Sequence, residues 1–483
     1  MRGGGNASVG TPPYDGQRDW IALVTLERAG DSSAVAPQNE DATISQTECN
    51  ESPAQIILEQ VDVDTVWAAN RVGFSLHTVG RRQFVAYYDR NRMMTVASRD
   101  IDSDRWQKTT LPSKLMWDSH NRVALGIDEL GFIHVTGNMH VHPLCYFRSE
   151  KPCDISRMKA HHRMLGCDEQ RVTYPRFFYD RLGRLLFSYR SGTCGNGNIL
   201  VNRFEPEQQR WVRHLDVPLF AGVQTDDDRA AYHRFAKDAQ GNFHFVWMWR
   251  WTPQVESCHQ LCYATTPDLV HWKNAAGQTV ALPFRPDMAE VIVDDVPSKG
   301  GLHNSRYQIL VTPEGRPLIG YVKYDEQGLT QLYLARHDGK QWITRQISNW
   351  DFRWEFVGGG DEMTEGGRFH LAGFAGNGML IIPWSTETGD SGRYSLDPAT
   401  LGPMTFTAAF EPEYPAAVHA RLSDAPGLSV NLSDDQGGVQ ANGTCYVLKW
   451  ESRDASHGRH APEVIPDGPV SSLVVLKIDA HGS

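Results

Sequence analysis

The amino-acid sequence predicts an all-β fold: a seven-bladed β-propeller with four-stranded antiparallel blades. Three observations lead there. A turn centred on glycine recurs seven times, a tryptophan keeps phase with it, and the composition suits short strands joined by turns. The clearest turns are Ile127-Asp128-Glu129-Leu130-Gly131-Phe132-Ile133-His134-Val135 and Tyr179-Asp180-Arg181-Leu182-Gly183-Arg184-Leu185-Leu186-Phe187. Two more run from Lys237 through Gly241 to Phe245 and from Val311 through Gly315 to Ile319, and weaker copies centre on Gly80, Gly378 and Gly438. Successive glycines lie 51, 52, 58, 74, 63 and 60 residues apart, room for four short strands each. Trp106, Trp211, Trp272 and Trp342 follow their glycines by 26, 28, 31 and 27 residues.

Taken in order, residues 1–55 are rich in Gly, Ser, Asp, Asn and Pro and read as an N-terminal arm. It holds one strand-like run, Trp20-Ile-Ala-Leu-Val-Thr-Leu, and a loop from Ala29 to Pro53. Residues 56–483 read as the propeller. The 483 residues suggest about three domains by length, but blades that bury their faces only against one another make a single unit. Two β-sandwiches would use similar strands but do not explain seven copies of one turn. Thr266-Pro-Asp-Leu-Val-His-Trp272 looks like a degraded Asp-box, the blade signature of sialidase-type propellers.

The net charge of −11 argues against nucleic-acid binding, and no apolar run reaches membrane-span length. The start, Met1-Arg2-Gly3-Gly4-Gly5, lacks the apolar run of a secretion signal. Eight cysteines are too sparse for a disulfide-built fold. Sequons at Asn6, Asn50, Asn431 and Asn442 do not settle the compartment.

In a propeller the inner-strand ends share a funnel. Before the repeated turns stand His120-Asn121, Tyr174, His233 and His303-Asn304, and after the inner strands stand Tyr88, His140, Arg190, Trp249-Arg250 and Lys323-Tyr324. Such a polar, cationic funnel in an acidic protein suits a carboxylate-bearing substrate that arginine can clamp. Asp128, Asp180 and Asp238 recur with the turn and read as turn formers rather than a glycosidase pair. No Gly-x-Ser-x-Gly elbow, His-Glu-x-x-His or phosphate loop occurs. His, Tyr and Arg without a carboxylate pair fit β-elimination at a uronic acid: a cation neutralises the carboxylate, a base takes the adjacent proton, and an acid protonates the leaving oxygen.

Several long motifs carry a family resemblance. They include Gln83-Phe-Val-Ala-Tyr-Tyr-Asp, Trp117-Asp-Ser-His-Asn, Gly137-Asn-Met-His-Val-His-Pro-Leu-Cys-Tyr-Phe-Arg-Ser, Thr173-Tyr-Pro-Arg, Tyr189-Arg-Ser-Gly and Tyr321-Val-Lys-Tyr-Asp. Over residues 62 to 360 the chain resembles the BNR-repeat-containing family of seven-bladed propellers. That family includes polysaccharide lyases of ulvan and of the rhamnosyl-glucuronate ends of gum arabic, and related α-L-rhamnosidases. The resemblance implies a catalytic set of His120, His140, Tyr174 and Arg190. Arg190 would neutralise the carboxylate, Tyr174 and His140 would be the acid/base pair in either order, and His120 would support them. It also implies an extracellular protein acting on an acidic glycan of rhamnose and glucuronate; the chain is expected to be a monomer. The family's Asn-His-Asp-Leu-Ser-Tyr run is here Cys258-His259-Gln260-Leu261-Cys262-Tyr263, a departure expected to shape substrate subsites around His259.

The reading is a lyase of a rhamnose-α-1,4-glucuronate linkage. The alternatives are an ulvan lyase, an α-L-rhamnosidase and a non-catalytic glycan-binding propeller. The chemistry needs no cofactor. Cys258-His259-x-x-Cys262, with His233 and His244 near in sequence, would suit a structural zinc, and the two cysteines, four apart, are expected on the same strand face; a calcium ion in the channel is a further option. Two buried thiols are the plain alternative.

Overall fold

In the computed structural model the described residues are 57–223, 229–358 and 368–479, save 372, 376–377, 387–388, 405–413, 415, 441–442 and 457–460. The N-terminal arm and its strand lie outside them. Among the described residues the strands form seven antiparallel sheets, with four short 3₁₀ turns as the only helical elements. Each sheet contains one of the seven repeated glycines, in a turn between two of its paired strands. All seven have φ between +55° and +85°, where a side chain would be strained. The sheets are named here by that glycine.

The turn aspartates cap these turns. Asp128 Oδ1 accepts from the backbone N–H of Leu130 (3.0 Å) and Phe132 (2.9 Å), and Asp180 and Asp238 repeat the pattern on Leu182 and Arg184 and on Gln240 and Asn242. The phased tryptophans mark the fourth strand. Trp106 precedes Gln107–Lys114, Trp211 lies in Arg210–Arg213, Trp272 opens Trp272–Lys273 and Trp342 opens Trp342–Gln346. The Thr266–Trp272 stretch closes on itself: Thr266 Oγ1 accepts from Leu269 N, and the Trp272 indole donates to Leu269 O.

The Gly80, Gly131 and Gly315 sheets have four strands each, and the Gly438 sheet takes its fourth from the first described strand, Ile57–Trp67, which pairs with Val470–Asp479. The Gly183 sheet gains a fifth strand, His140–His142, from the segment that links two strands of the Gly131 sheet. Adjoining sheets touch through their inner strands, and the apolar clusters fill the spaces between them. No described helix is long and apolar enough to cross a membrane. Asn431 is buried and donates to Ser452 Oγ, so that sequon is not presented.

Candidate active site

The site lies at the sheet ends opposite the glycine turns, where three segments meet. Asp118-Ser119-His120-Asn121 forms a tight turn, with His120 N–H donating to Asp118 Oδ1 (2.9 Å) and Asn121 N–H to Asp118 O (3.1 Å). Tyr88 holds that turn from below: it is fully buried and its hydroxyl donates to Asn121 O at 2.7 Å. Gly137 lets the second segment come close, since a Cβ there would lie 2.8 Å from Arg122 O and 2.9 Å from the Tyr88 hydroxyl. Three residues on, the strand His140–His142 joins the Gly183 sheet, with Thr173 opposite His140 and Val141 N–H donating to Thr173 Oγ1 at 2.8 Å. Val141 has φ +62°, a strained conformation for a β-branched residue. Tyr174 is the third segment. It sits at a bulge between Thr173 and Arg176 with φ +55°, which lifts its ring out of the strand.

These segments bring the predicted set together. His120 and His140 stack with centroids 4.2 Å apart, and Tyr174 lies 5.9 Å and 6.3 Å from them. The Arg190 guanidinium lies over the Tyr174 ring at 4.9 Å and donates to the Tyr232 hydroxyl at 3.3 Å. Arg190 is only 1% exposed, yet its Nε and Nη2 have no hydrogen-bond partner among the described residues. Asp118 bridges the two imidazoles, with Oδ1 2.7 Å from His120 Nδ1 and Oδ2 2.6 Å from His140 Nδ1. Burial opposes its ionisation, but hydrogen bonds from both rings hold the Asp118 carboxyl well below the usual range. Burial lowers the pKa of His120 and raises that of Tyr174, although Arg190 pulls Tyr174 the other way. At neutral pH His120 is therefore an uncharged ring and Tyr174 a phenol.

The remaining predicted residues divide. Arg250 borders the site over the Tyr232 ring, but its Nε and Nη2 donate to the carbonyls of Thr252 and Pro253. His303 is buried, stacked on Trp354 at 4.7 Å, and burial first of all holds it neutral. Asn121 is fully buried with both amide atoms unpartnered among the described residues, as is Asn304 Oδ1.

Several expectations are corrected. Tyr88 is a support beneath the site, not a group that meets substrate. His233 stacks between Phe220 (5.3 Å) and Phe245 (5.7 Å), where burial lowers its pKa to about 3, so it is a neutral packing ring. Lys323 is paired with Asp294 at 2.6 Å, and the Tyr324 hydroxyl donates to Trp354 O. The cationic funnel thus narrows to Arg190 with Arg250 behind it. Cys258 and Cys262 do not come together as ligands of one zinc. A bulge at Gln260 (φ +51°) shifts the strand register, so Cys258 faces the cluster of Met248 and Leu261 while Cys262 faces that of Trp247 and Trp272. His259 instead accepts from Arg229 at 3.0 Å, and Arg229 lies 4.7 Å over the exposed Trp251 ring.

Sequence reasoning missed the role of Asp118. Asp118 lay inside a quoted motif, but its role depends on a ring 22 residues away.

Comparison with known proteins then places the chain. No curated protein matches it. Among solved structures it resembles the polysaccharide lyase Uly1, with TM-score 0.55 and 13% identity over 88% of this chain and 99% of that one. It also resembles a PL25 ulvan lyase, solved alone and bound to -[GlcA(1-4)Rha3S]-, with TM-score 0.54 and 13% identity over 81% of this chain and 93% of that one. At that identity the likeness is one of fold, which is all-β and propeller-like. The description "BNR repeat-containing family member" matches residues 82–350, more than half of the sequence, and the chain belongs to that family.

Proposed function

We propose that this protein is a seven-bladed propeller lyase that cleaves a rhamnose-α-1,4-glucuronate linkage by β-elimination. The seven sheets, and the pairing of the first described strand with the last, support the blade count. One observation carries the activity: a buried guanidinium with two unpartnered N–H groups, beside a phenol and a stacked imidazole pair. An unpaired buried arginine is costly, and a uronate carboxylate supplies the bidentate partner it lacks.

Arg190 then draws off charge as the proton next to the carboxylate becomes acidic. His140, the more exposed imidazole, takes that proton on Nε2 while its Nδ1–H stays on Asp118. The C4–O bond breaks as the C4=C5 double bond forms, and Tyr174 gives its proton to the leaving oxygen. Proton return from imidazolium to phenolate restores both groups. The raised pKa of Tyr174 favours this order, because it starts as a donor. The net charge of −11 favours an unsulfated glycan.

The test is incubation with rhamnose-capped glucuronate oligosaccharides and with ulvan oligosaccharides. An unsaturated uronate, seen by its ultraviolet absorbance, is expected, and faster from the first. Free rhamnose with saturated glucuronate would mean hydrolysis, and binding without turnover would mean a lectin. Either result overturns the proposal, while faster cleavage of ulvan overturns the choice of substrate.

A further inference from the structure

We propose that Asp118 is the positioning residue of this site: it accepts the Nδ1–H of both His120 and His140, fixes one tautomer in each ring, and leaves Nε2 as the proton-accepting nitrogen of both. Its catalytic consequence rests on the lyase reading; the tautomers themselves do not.

The contacts allow one assignment. Each carboxylate oxygen lies 2.6–2.7 Å from one ring Nδ1. An ionised carboxylate only accepts, and at that distance a lone pair on Nδ1 would face a lone pair on oxygen. Both Nδ1 atoms must therefore carry hydrogen. Oδ1 also accepts the His120 backbone N–H, so the carboxylate is locked to its own turn before it reaches His140. The stacked rings, at 28° and 4.2 Å, hold each other in that orientation. The same carboxylate stabilises the imidazolium that forms when either Nε2 accepts a proton.

Asn at this position keeps the shape but presents one acceptor and one donor. One ring must then place its proton on Nε2 and lose its basic nitrogen. In Asp118→Asn, kcat is expected to fall by about 10²–10⁴-fold, the range of a general base, with KM changed by less than about threefold.

The direct test is two-bond proton–nitrogen correlation NMR on ¹⁵N-histidine protein at about pH 8, above the ordinary imidazole range. Signals are assigned from His120→Gln and His140→Gln. The expected result is hydrogen on Nδ1 of both rings in the parent and on Nε2 of one ring in Asp118→Asn. A parent ring protonated on Nε2 overturns the proposal, as do unchanged tautomers in the variant. A shift of both rings' signals on adding EDTA would mean that the trio holds a metal, and also overturns it. The parent spectrum decides even if the variant does not fold, and it needs no turnover, so failure of the lyase reading is read separately.

Discussion

Arg190 concentrates the tension between stability and function in one side chain. It is packed under Tyr174, against Tyr232 and next to Gly197, whose missing Cβ would sit 2.9 Å from Arg190 Cγ. In the proposed reaction a point charge does not replace it, because a planar fork is needed to meet a carboxylate through two N–H groups. Arg190→Lys is expected to lower kcat/KM at least ~100-fold in the uronate assay, and Tyr174→Phe by a similar factor. Arg190→Met is expected to lose turnover but melt no lower than the parent, since replacing a poorly paired buried charge with an apolar side chain is often neutral or stabilising. A large drop in its melting temperature would show that Arg190 is structural. That Arg190 and Tyr174 come together with the two histidines was legible in sequence, because all four stand at strand ends of the repeat. His233 and Lys323 have the same types at equivalent positions, and only the rings of Phe220 and Phe245 and the carboxylate of Asp294 show that they are occupied elsewhere.

At the scale of elements, the two ends of a sheet do different work. At the glycine end, Asp128 caps its turn and its second oxygen lies 3.2 Å from His134 Nε2, while His134 Nδ1 bonds the Tyr146 hydroxyl at 2.7 Å. The Gly241 sheet repeats the latch as Asp238, His244 and Tyr263. Asp128→Ala removes two backbone caps and one ring partner at a fully buried position, which should cost about 2–4 kcal/mol in urea unfolding and leave turnover near the parent value. Thr173→Val acts at the other end. It removes the hydroxyl that holds Val141 N–H in a strained backbone, so it should lower kcat several-fold while costing only about 1 kcal/mol in urea unfolding. Equal losses in both variants would mean that the two ends are not separable. The turn was legible because φ above zero demands glycine, and that demand recurs. The strand His140–His142 was not, because three residues carry no period and their partner, Thr173, lies 33 residues on from His140, outside the Gly131 sheet whose strands flank them in sequence. Nor was the bulge at Gln260, since one extra residue reverses which face a cysteine occupies without changing the residues around it.

Across the whole molecule, sheets are joined by buried polar contacts, and one such join carries two groups whose titration makes stability depend on pH. Asp435 in the Gly438 sheet accepts Thr78 N–H of the Gly80 sheet at 2.7 Å, Gln436 N–H donates to Leu76 O, and the Gln436 side chain reaches Leu125 O of the Gly131 sheet. Gly437 must be glycine here, as a Cβ would fall 2.2 Å from Thr78 O. Burial raises the Asp435 pKa from 3.8 to about 6, against the hydrogen bonds it accepts. The folded state therefore holds its proton more tightly than the unfolded chain, and Asp435's contribution is full below about pH 4 and lost as pH rises to about 6. His77, on the neighbouring strand, has the opposite sign. Burial lowers its pKa from 6.5 to about 4, so its contribution is present above 6.5 and lost as pH falls towards 4. The two partly cancel in the parent, and Asp435→Asn uncovers the histidine. Relative to the parent, the variant should gain about 2 kcal/mol in unfolding free energy between pH 4 and pH 7, read as a difference so that fixed costs of the substitution drop out. A parallel pair of pH profiles would show that Asp435 does not titrate at this join, and that the hydrogen bonds to Thr78 and Gly437 outweigh its burial.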